Sequence, residues 1–362
     1  MSARPSWLRW ITPALLAIAI VALVFTIRDV GLRTLGHYLR LIGWWWIAVV
    51  ALEVLNTTLH STAIRAFAAP DKLRLRDAFV AQLAGRAVNA VTPSGNLGEV
   101  VKMSVLTDVV TPSRAVSTIL LYNVVSFTIE LGIVAAAAPF LALLVPMPLP
   151  LRALFLGVGV LCAVLSVGLY WLVHRGMLAS LAKVPVKLGL VSQHRYAGWY
   201  EKLHGIDEKL RMTAGASRRD RLIGIGALFL SRLSAILLSL LILRSVGTSI
   251  SFGFVAAWTV GSFPIYLAST LVPMGLGVSE GGYYGLFRTL GYNPAFAVTL
   301  VIARRCITIM YATIGLVLVT FSETVKRAKA RHTAEESGPI EISVPAIPRA
   351  IVVAEEAREA SP

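Results

Sequence analysis

Apolar positions in this chain gather into long blocks instead of the one-sided stripe that a soluble helix carries. Blocks at 10–27, 41–64, 115–145, 153–173, 222–243 and 307–321 lie near or above the roughly 20 residues that cross a bilayer once polar edges are counted. They predict six spanning helices. Two further apolar stretches, 77–112 and 252–293, are interrupted by helix breakers, and each break closes on a lone acid. The first carries Pro93, Gly95, Gly98 and Glu99, and the second carries Pro273, Gly275, Gly277 and Glu280. Broken backbone at membrane depth is tolerated only where protein or a wet cavity covers it, and an ionisable group there marks a functional site by default. Paired interruptions in the two halves of a membrane protein point to a transport or substrate site.

The basic residues orient the blocks. Residues 174–221 hold ten Lys and Arg, and Lys326, Arg327, Lys329 and Arg331 follow the last block. Both regions are predicted to be cytoplasmic, as are Arg4 and Arg9 ahead of the first block. With the intervening blocks crossing the bilayer, 77–112 must enter and leave on the cytoplasmic side and 252–293 on the outer side. The expected fold is an all-α polytopic membrane protein of six spanning helices plus two re-entrant broken-helix hairpins in an inverted repeat. The domain plan is a transmembrane domain over 1–325, with a cytoplasmic loop at 174–221, and a disordered cytoplasmic tail over 326–362. The first block follows Arg4 and Arg9, is longer than a signal h-region and has no small-residue cleavage site before Arg28, so it reads as a retained span. The predicted location is the inner cell membrane, multi-pass, with both termini in the cytoplasm.

Composition sharpens this picture. Of 362 residues 56% are hydrophobic and 15% charged, too apolar for a soluble domain of this size. The net charge of +15 would point to nucleic acid in a soluble protein; here the cations lie mostly between blocks, where topology and anionic headgroups account for them. Cys162 and Cys306 sit in apolar blocks without metal-ligand spacing, and the six histidines are scattered. No metal, cofactor or nucleotide-binding loop is predicted, and no nucleic-acid partner.

The chemistry concentrates at the two breaks. Around the first, Arg86, Asn89, Glu99 and Lys102 flank the interruption; Glu99 falls in the first turn of a restarting helix, with Lys102 one turn on along the same face. Arg86 and Lys102 are candidate phosphate partners, and Glu99 a partner for an amine. Around the second, Glu280 needs a cation from elsewhere, and Arg304 and Arg305 are the candidates. They lie about 15 Å into an apolar helix that begins near Pro294. Arg232, inside another block, is a further buried cation.

These residues carry a family resemblance. The spacing of Asn89, Pro93, Gly98, Glu99 and Lys102, that of Pro273, Gly275, Gly277 and Glu280, and the Arg304–Arg305 pair together resemble the flippase-like family of the lysylphosphatidylglycerol synthase transmembrane region over about residues 10–325. The resemblance implies a helical bundle with re-entrant elements that moves lipids, including aminoacylated phosphatidylglycerol, between leaflets. Two departures stand out: family members tend to have arginine where this chain has Lys102, and many have an acidic-basic pair where it has Tyr122 and Asn123. Nothing resembles the soluble aminoacyl-transfer domain. The expected function is translocation of a phospholipid or lipid-linked anionic substrate, with anionic or aminoacylated membrane lipids as partners. The alternatives are an integral membrane enzyme acting on a lipid-linked substrate, and a non-catalytic membrane partner of a lipid-synthesising enzyme.

Overall fold

The computed structural model describes residues 37, 40–69, 71–91, 97–175, 217–270 and 277–336. The predicted span at 10–27 and nearly all of the loop at 174–221 lie outside them. Within the described residues the elements are helices: α1 (Trp45–Ala68), α2 (Leu75–Val91), α3 (Leu97–Leu106), α4 (Pro112–Leu144), α5 (Leu149–Arg175), α6 (Arg218–Ser245), α7 (Phe252–Ser269), α8 (Val278–Thr289) and α9 (Ala295–Glu336). The chain divides into two units, Met1–Val319 and Thr320–Pro362. In the second, helix persists through Glu336, so residues 326–336, assigned to the tail on polarity, are helical. Their Ala, Lys, Arg and Glu content favours helix without any packing partner.

Local sequence sets the helix starts. Pro112 opens α4, where its missing N–H costs nothing. Ser217 and Ser251 cap α6 and α7 by accepting from the backbone N–H of Asp220 and Phe254, each at 3.1 Å. Gly247, at φ 89°, ends α6, and the Thr248 N–H returns to the Leu243 carbonyl at 3.1 Å.

Six of these helices are long and apolar enough to cross a membrane: α1, α4, α5, α6, α7 and the stretch Ala295–Gly315 of α9. The chain is a multi-pass membrane protein. Five of the six spans expected from the sequence fall among the described residues and appear there, and α7 is a further one. The stretch 252–293 was read as one folded-back hairpin; its first arm, α7, has 18 residues and reaches spanning length, about 27 Å at 1.5 Å per residue. Its partner α8, with 12 residues, does not. The last span begins at Ala295, beside the Pro294 start expected from the sequence; the uncharged block 307–321 covers only its later part, because Arg304 and Arg305 interrupt the run.

In the first unit, α1 packs along α6, α4 along α5 and α7, and α3 against α2 and α4. One apolar cluster joins Ile64, Phe67, Leu106, Ile119 and Leu228 around the α2–α3 end. Another joins Ile242, Phe254, Trp258, Phe287 and Leu300 around α7–α8. A third, with Leu131, Leu141, Phe155 and Val260, binds α4, α5 and α7. Helix α5 leaves Val160, Leu161, Val164 and Val167 exposed, the all-round apolar surface of a helix that faces lipid.

Candidate functional site

The α2–α3 break is held by a close backbone crossing. A Cβ on Gly98 would overlap the Gly85 carbonyl oxygen and the Asn89 side chain, so glycine is what lets the two helices touch. Asn89 Oδ1 accepts the Gly98 N–H at 2.6 Å, supplying from α2 a cap for the start of α3. Glu99, the third residue of α3, follows at once. Its Oε1 accepts from Lys102 Nζ at 2.8 Å and from Asn89 Nδ2 at 3.4 Å, and its Oε2 accepts from Asn123 Nδ2 of α4 at 3.0 Å. Lys102 is only 3% exposed, with its stem laid over Gly85 and its ammonium 5.1 Å from the centre of the Tyr122 ring. A buried ammonium persists as a cation only with such partners. Tyr122 and Asn123 therefore complete this cluster with neutral groups.

The α7–α8 break ends differently. Glu280 is the third residue of α8 and accepts the N–H of Gly277 through Oε2 at 2.8 Å, closing its own helix start. Gly277, at φ 77°, takes a conformation that disfavours other residues. The second carboxylate oxygen pairs with Arg305 of α9. The adjacent Arg304 turns another way. Its NH2 donates to Ser239 Oγ of α6 at 2.6 Å, and its guanidinium lies 5.9 Å from the Trp258 ring, which stacks on Tyr283 at 5.0 Å. Arg304 Nε is buried with no hydrogen-bond partner, and no carboxylate among the described residues pairs with this guanidinium.

A third cluster was hidden in the apolar block 41–64. Along α1, Glu53, Asn56, Thr57, His60 and Ser61 are all buried, at the three- and four-residue spacing that places them on one helix face. Val54 and Leu55 are exposed, so the polar face of α1 points into the bundle and the apolar face outward. Glu53 pairs with Arg86 at 2.8 Å, and the same guanidinium donates to Thr57 Oγ1 at 2.9 Å and lies 4.9 Å from the Tyr311 ring of α9. Arg86, read as a phosphate partner beside Lys102, has its ion pair with Glu53 instead. Asn56 Nδ2 donates to the Ser231 carbonyl at 2.8 Å and to Ser234 Oγ at 3.1 Å, tying α1 to α6. Arg232 of α6 in turn meets Glu130 of α4 at 3.0 Å and Ser126 Oγ at 2.9 Å. Glu53 and Glu130 are the residues that the sequence reading missed. Their signal was a charge in the middle of an apolar block, strengthened on α1 by polar residues recurring on one face.

Helix α9 links these clusters. Arg304 and Tyr311 lie two turns apart on one side of it, about 10 Å along the axis, and Gly315 sits against Leu83 and Ala87 of α2. The structure thus brings Asn89, Gly98, Glu99 and Lys102 into one cluster, and Gly277, Glu280 and Arg305 into another beside Arg304. Pro93, Gly95, Pro273 and Gly275 lie outside the described residues. Among the described residues no three His, Cys, Asp or Glu side chains gather as a metal site requires.

Apolar helices of spanning length that enclose paired and unpaired charges define a polytopic membrane protein with an ionic interior, the arrangement of proteins that handle a polar group within the bilayer. The chain belongs to the family described as the lysylphosphatidylglycerol synthase TM region, whose family model matches residues 14–315. Membership ties it to lipid metabolism or transport. Comparison with curated proteins and with solved structures gives no match for this chain.

Proposed function

We propose that the protein moves an anionic phospholipid or lipid-linked anionic substrate across the bilayer. The observation that carries the reading is Arg304, a guanidinium among membrane-spanning helices, held by one hydroxyl with its Nε buried and unpartnered. Leaving a cation so little compensated costs several kcal/mol, and a phosphate-bearing headgroup supplies the missing charge and acceptors. Glu99 and Glu280 stand beside the cations Lys102 and Arg305 as partners for an amine on an aminoacylated headgroup. In this reading 77–112 and 252–293 are re-entrant hairpins of an inverted repeat that rock against each other. The domain plan keeps the transmembrane domain at 1–325 and the tail at 326–362, in the inner membrane with cytoplasmic termini.

The test is transbilayer movement of headgroup-labelled lipids in liposomes carrying the purified chain, with aminoacylated phosphatidylglycerol, phosphatidylglycerol and a polyprenyl phosphate compared. Arg304→Gln, which keeps a donor for Ser239, is expected to reduce movement of the preferred lipid at least tenfold while thermal stability is retained. Wild-type rates in Arg304→Gln, or a folded protein that moves none of the lipids, would overturn the reading.

A further inference from the structure

At one end of the bundle α4, α6 and α8 finish and α5, α7 and α9 begin. A cavity of about 440 Å³ opens there between the α4–α5 connection, the first turns of α7 and the α8–α9 turn. That volume falls within the range of about 300–1,000 Å³ that small ligands occupy. Its walls are mostly apolar, with Leu144, Val145, Phe252, Phe254 and Leu290 among the lining side chains. Phe254 is fixed by an edge contact with Tyr292 at 4.7 Å, and Phe252 by one with Phe140 at 5.6 Å. Arg304 lies about 14 Å along α9 beyond Ala295, so the cavity is a different place in the fold from the headgroup site.

The mouth of the cavity faces hydrocarbon. Phe140, Leu143, Leu149 and Phe252 around it are all exposed, a contiguous apolar surface that a bilayer covers and water does not. The α4–α5 connection is built for the same surroundings. Three of residues 145–150 are Pro146, Pro148 and Pro150, which have no N–H, and the N–H of Val145 donates to the Leu141 carbonyl at 3.1 Å. A connection with so few open donors lies among acyl chains at little cost.

The charge at this end has one sign. Residues 140–155, 242–258 and 286–298 hold one arginine each, Arg152, Arg244 and Arg288, and no Asp or Glu. Arg244 and Arg288 stand in the last turns of α6 and α8, where the helix dipole favours a cation. Arg152 has no such support, because it closes the first turn of α5, where the dipole opposes it. It is half-buried, its Nε is enclosed without a hydrogen-bond partner, and no carboxylate among the described residues pairs with it. We propose that the cavity and Arg152 form a binding site for an anionic glycerophospholipid, with one acyl chain in the cavity and the phosphate on the Arg152 guanidinium. The chain gives the apolar walls the contacts that an open space denies them. The phosphate gives the guanidinium a charge and paired acceptors, the geometry that arginine matches best. Arg244 and Arg288 add attraction from the other two segments. A zwitterionic headgroup would bring its own cation to a rim that holds no acid, so the charge pattern selects an anionic lipid. The site does not depend on the proposed function.

The test uses the full chain in nanodiscs with phosphatidylglycerol that carries a photoreactive diazirine near the end of one acyl chain. Illumination followed by peptide mass mapping is expected to place adducts on residues 144–146, 252–257 and 290–292, about tenfold more than a phosphatidylcholine probe with the same chains gives. Adducts spread along the exposed face of α5, or equal labelling by the two probes, would mean unselective surrounding lipid and overturn the site. Val145→Trp, which fills the cavity, is expected to abolish the adducts. Arg152→Gln, which leaves the cavity open, is expected to bring phosphatidylglycerol labelling down to the phosphatidylcholine level. Both are compared with wild type by size exclusion, and should Val145→Trp fail to fold, Arg152→Gln at its half-buried rim position carries the test. Labelling unchanged in a folded Arg152→Gln protein overturns the proposal. In Arg304→Gln the adducts are expected to persist; their loss there would assign the lipid to the Arg304 site and overturn a separate one. The liposome assay decides the translocation reading, and the adducts decide this site whichever way that assay falls.

Discussion

The two broken-helix units, α2–α3 and α7–α8, place their acids alike and compensate them differently. Glu99 and Glu280 are each the third residue of the helix that follows the break. Each reaches into the next long helix, Glu99 to Asn123 at a separation of 24 residues and Glu280 to Arg305 at 25. Asn123 lies eleven residues beyond Pro112, and Arg305 eleven beyond Pro294. In the first unit the cation for the acid comes from its own helix, Lys102, and the long helix supplies a neutral amide. In the second the long helix supplies the cation. The two acids thus meet the following helix at matching distances along the chain, through a neutral amide in one unit and a cation in the other. The first unit is the more buried: the Lys102 and Glu99 side chains are 4% and 19% exposed, against 18% and 34% for Arg305 and Glu280.

That contrast is sharpest when the acids are removed. Glu99→Gln leaves a buried ammonium facing an amide and is expected to cost about 3 kcal/mol of stability. Glu280→Gln, at a carboxylate 34% exposed against 19% for Glu99, is expected to cost less, about 1 kcal/mol. Thermal unfolding in detergent, read as loss of the folded peak on size exclusion, checks both. Equal losses would break the distinction between the more and the less buried unit.

Backbone contacts differ in the same sense. Gly98 has no room for a Cβ, because the Gly85 carbonyl and the Asn89 side chain occupy it, whereas a Cβ on Gly281 of α8 meets nothing within 4 Å. Gly98→Ala is expected to cost about 2 kcal/mol through forced separation of α2 and α3. Gly281→Ala is expected to be neutral or to stabilise by a few tenths of a kcal/mol, since alanine favours helix. The same unfolding assay tests the pair, and a harmless Gly98→Ala would show that the crossing is looser than its geometry.

These contrasts also show where the sequence was informative. Apolar blocks such as 115–145 and 153–173 became α4 and α5 because their length and apolarity carry the helix, in α4 even through Pro139, and the depth of Arg304 and Arg305 beyond Pro294 foretold that one of them meets Glu280. Lys102 at i+3 from Glu99 was equally legible, since helix geometry alone brings them together. Two things were not. A window of average hydropathy absorbs Glu53 and Glu130, and the inward polar face of α1 emerges only when positions are read by helix face. The partner of Arg86 depends on which helices pack side by side, and that choice is made by tertiary contacts that leave no local spacing signal. Spanning length likewise hid in 252–293, where the 18-residue helix ahead of the proline-glycine break itself runs through Pro264.

The smallest expected effect tests the correspondence between the units most directly. If Asn123 and Arg305 occupy equivalent positions, a cation placed at 123 should reach Glu99 as Arg305 reaches Glu280. Asn123→Arg alone is expected to change stability by less than about 1 kcal/mol, because it exchanges one hydrogen bond to Glu99 for a charged one while crowding Lys102. Lys102→Met alone leaves Glu99 with two amides and no cation, and its loss of stability should be plain. In the Asn123→Arg background the same Lys102→Met change should lose about 1 kcal/mol less, since the carboxylate keeps an ion pair and the like-charge neighbour is gone. An Asn123→Leu background should give no such rescue. Rescue by arginine and not by leucine is what equivalent positions require, whereas additive losses in both backgrounds would mean that the matching eleven-residue spacing brings no shared geometry to the two acids.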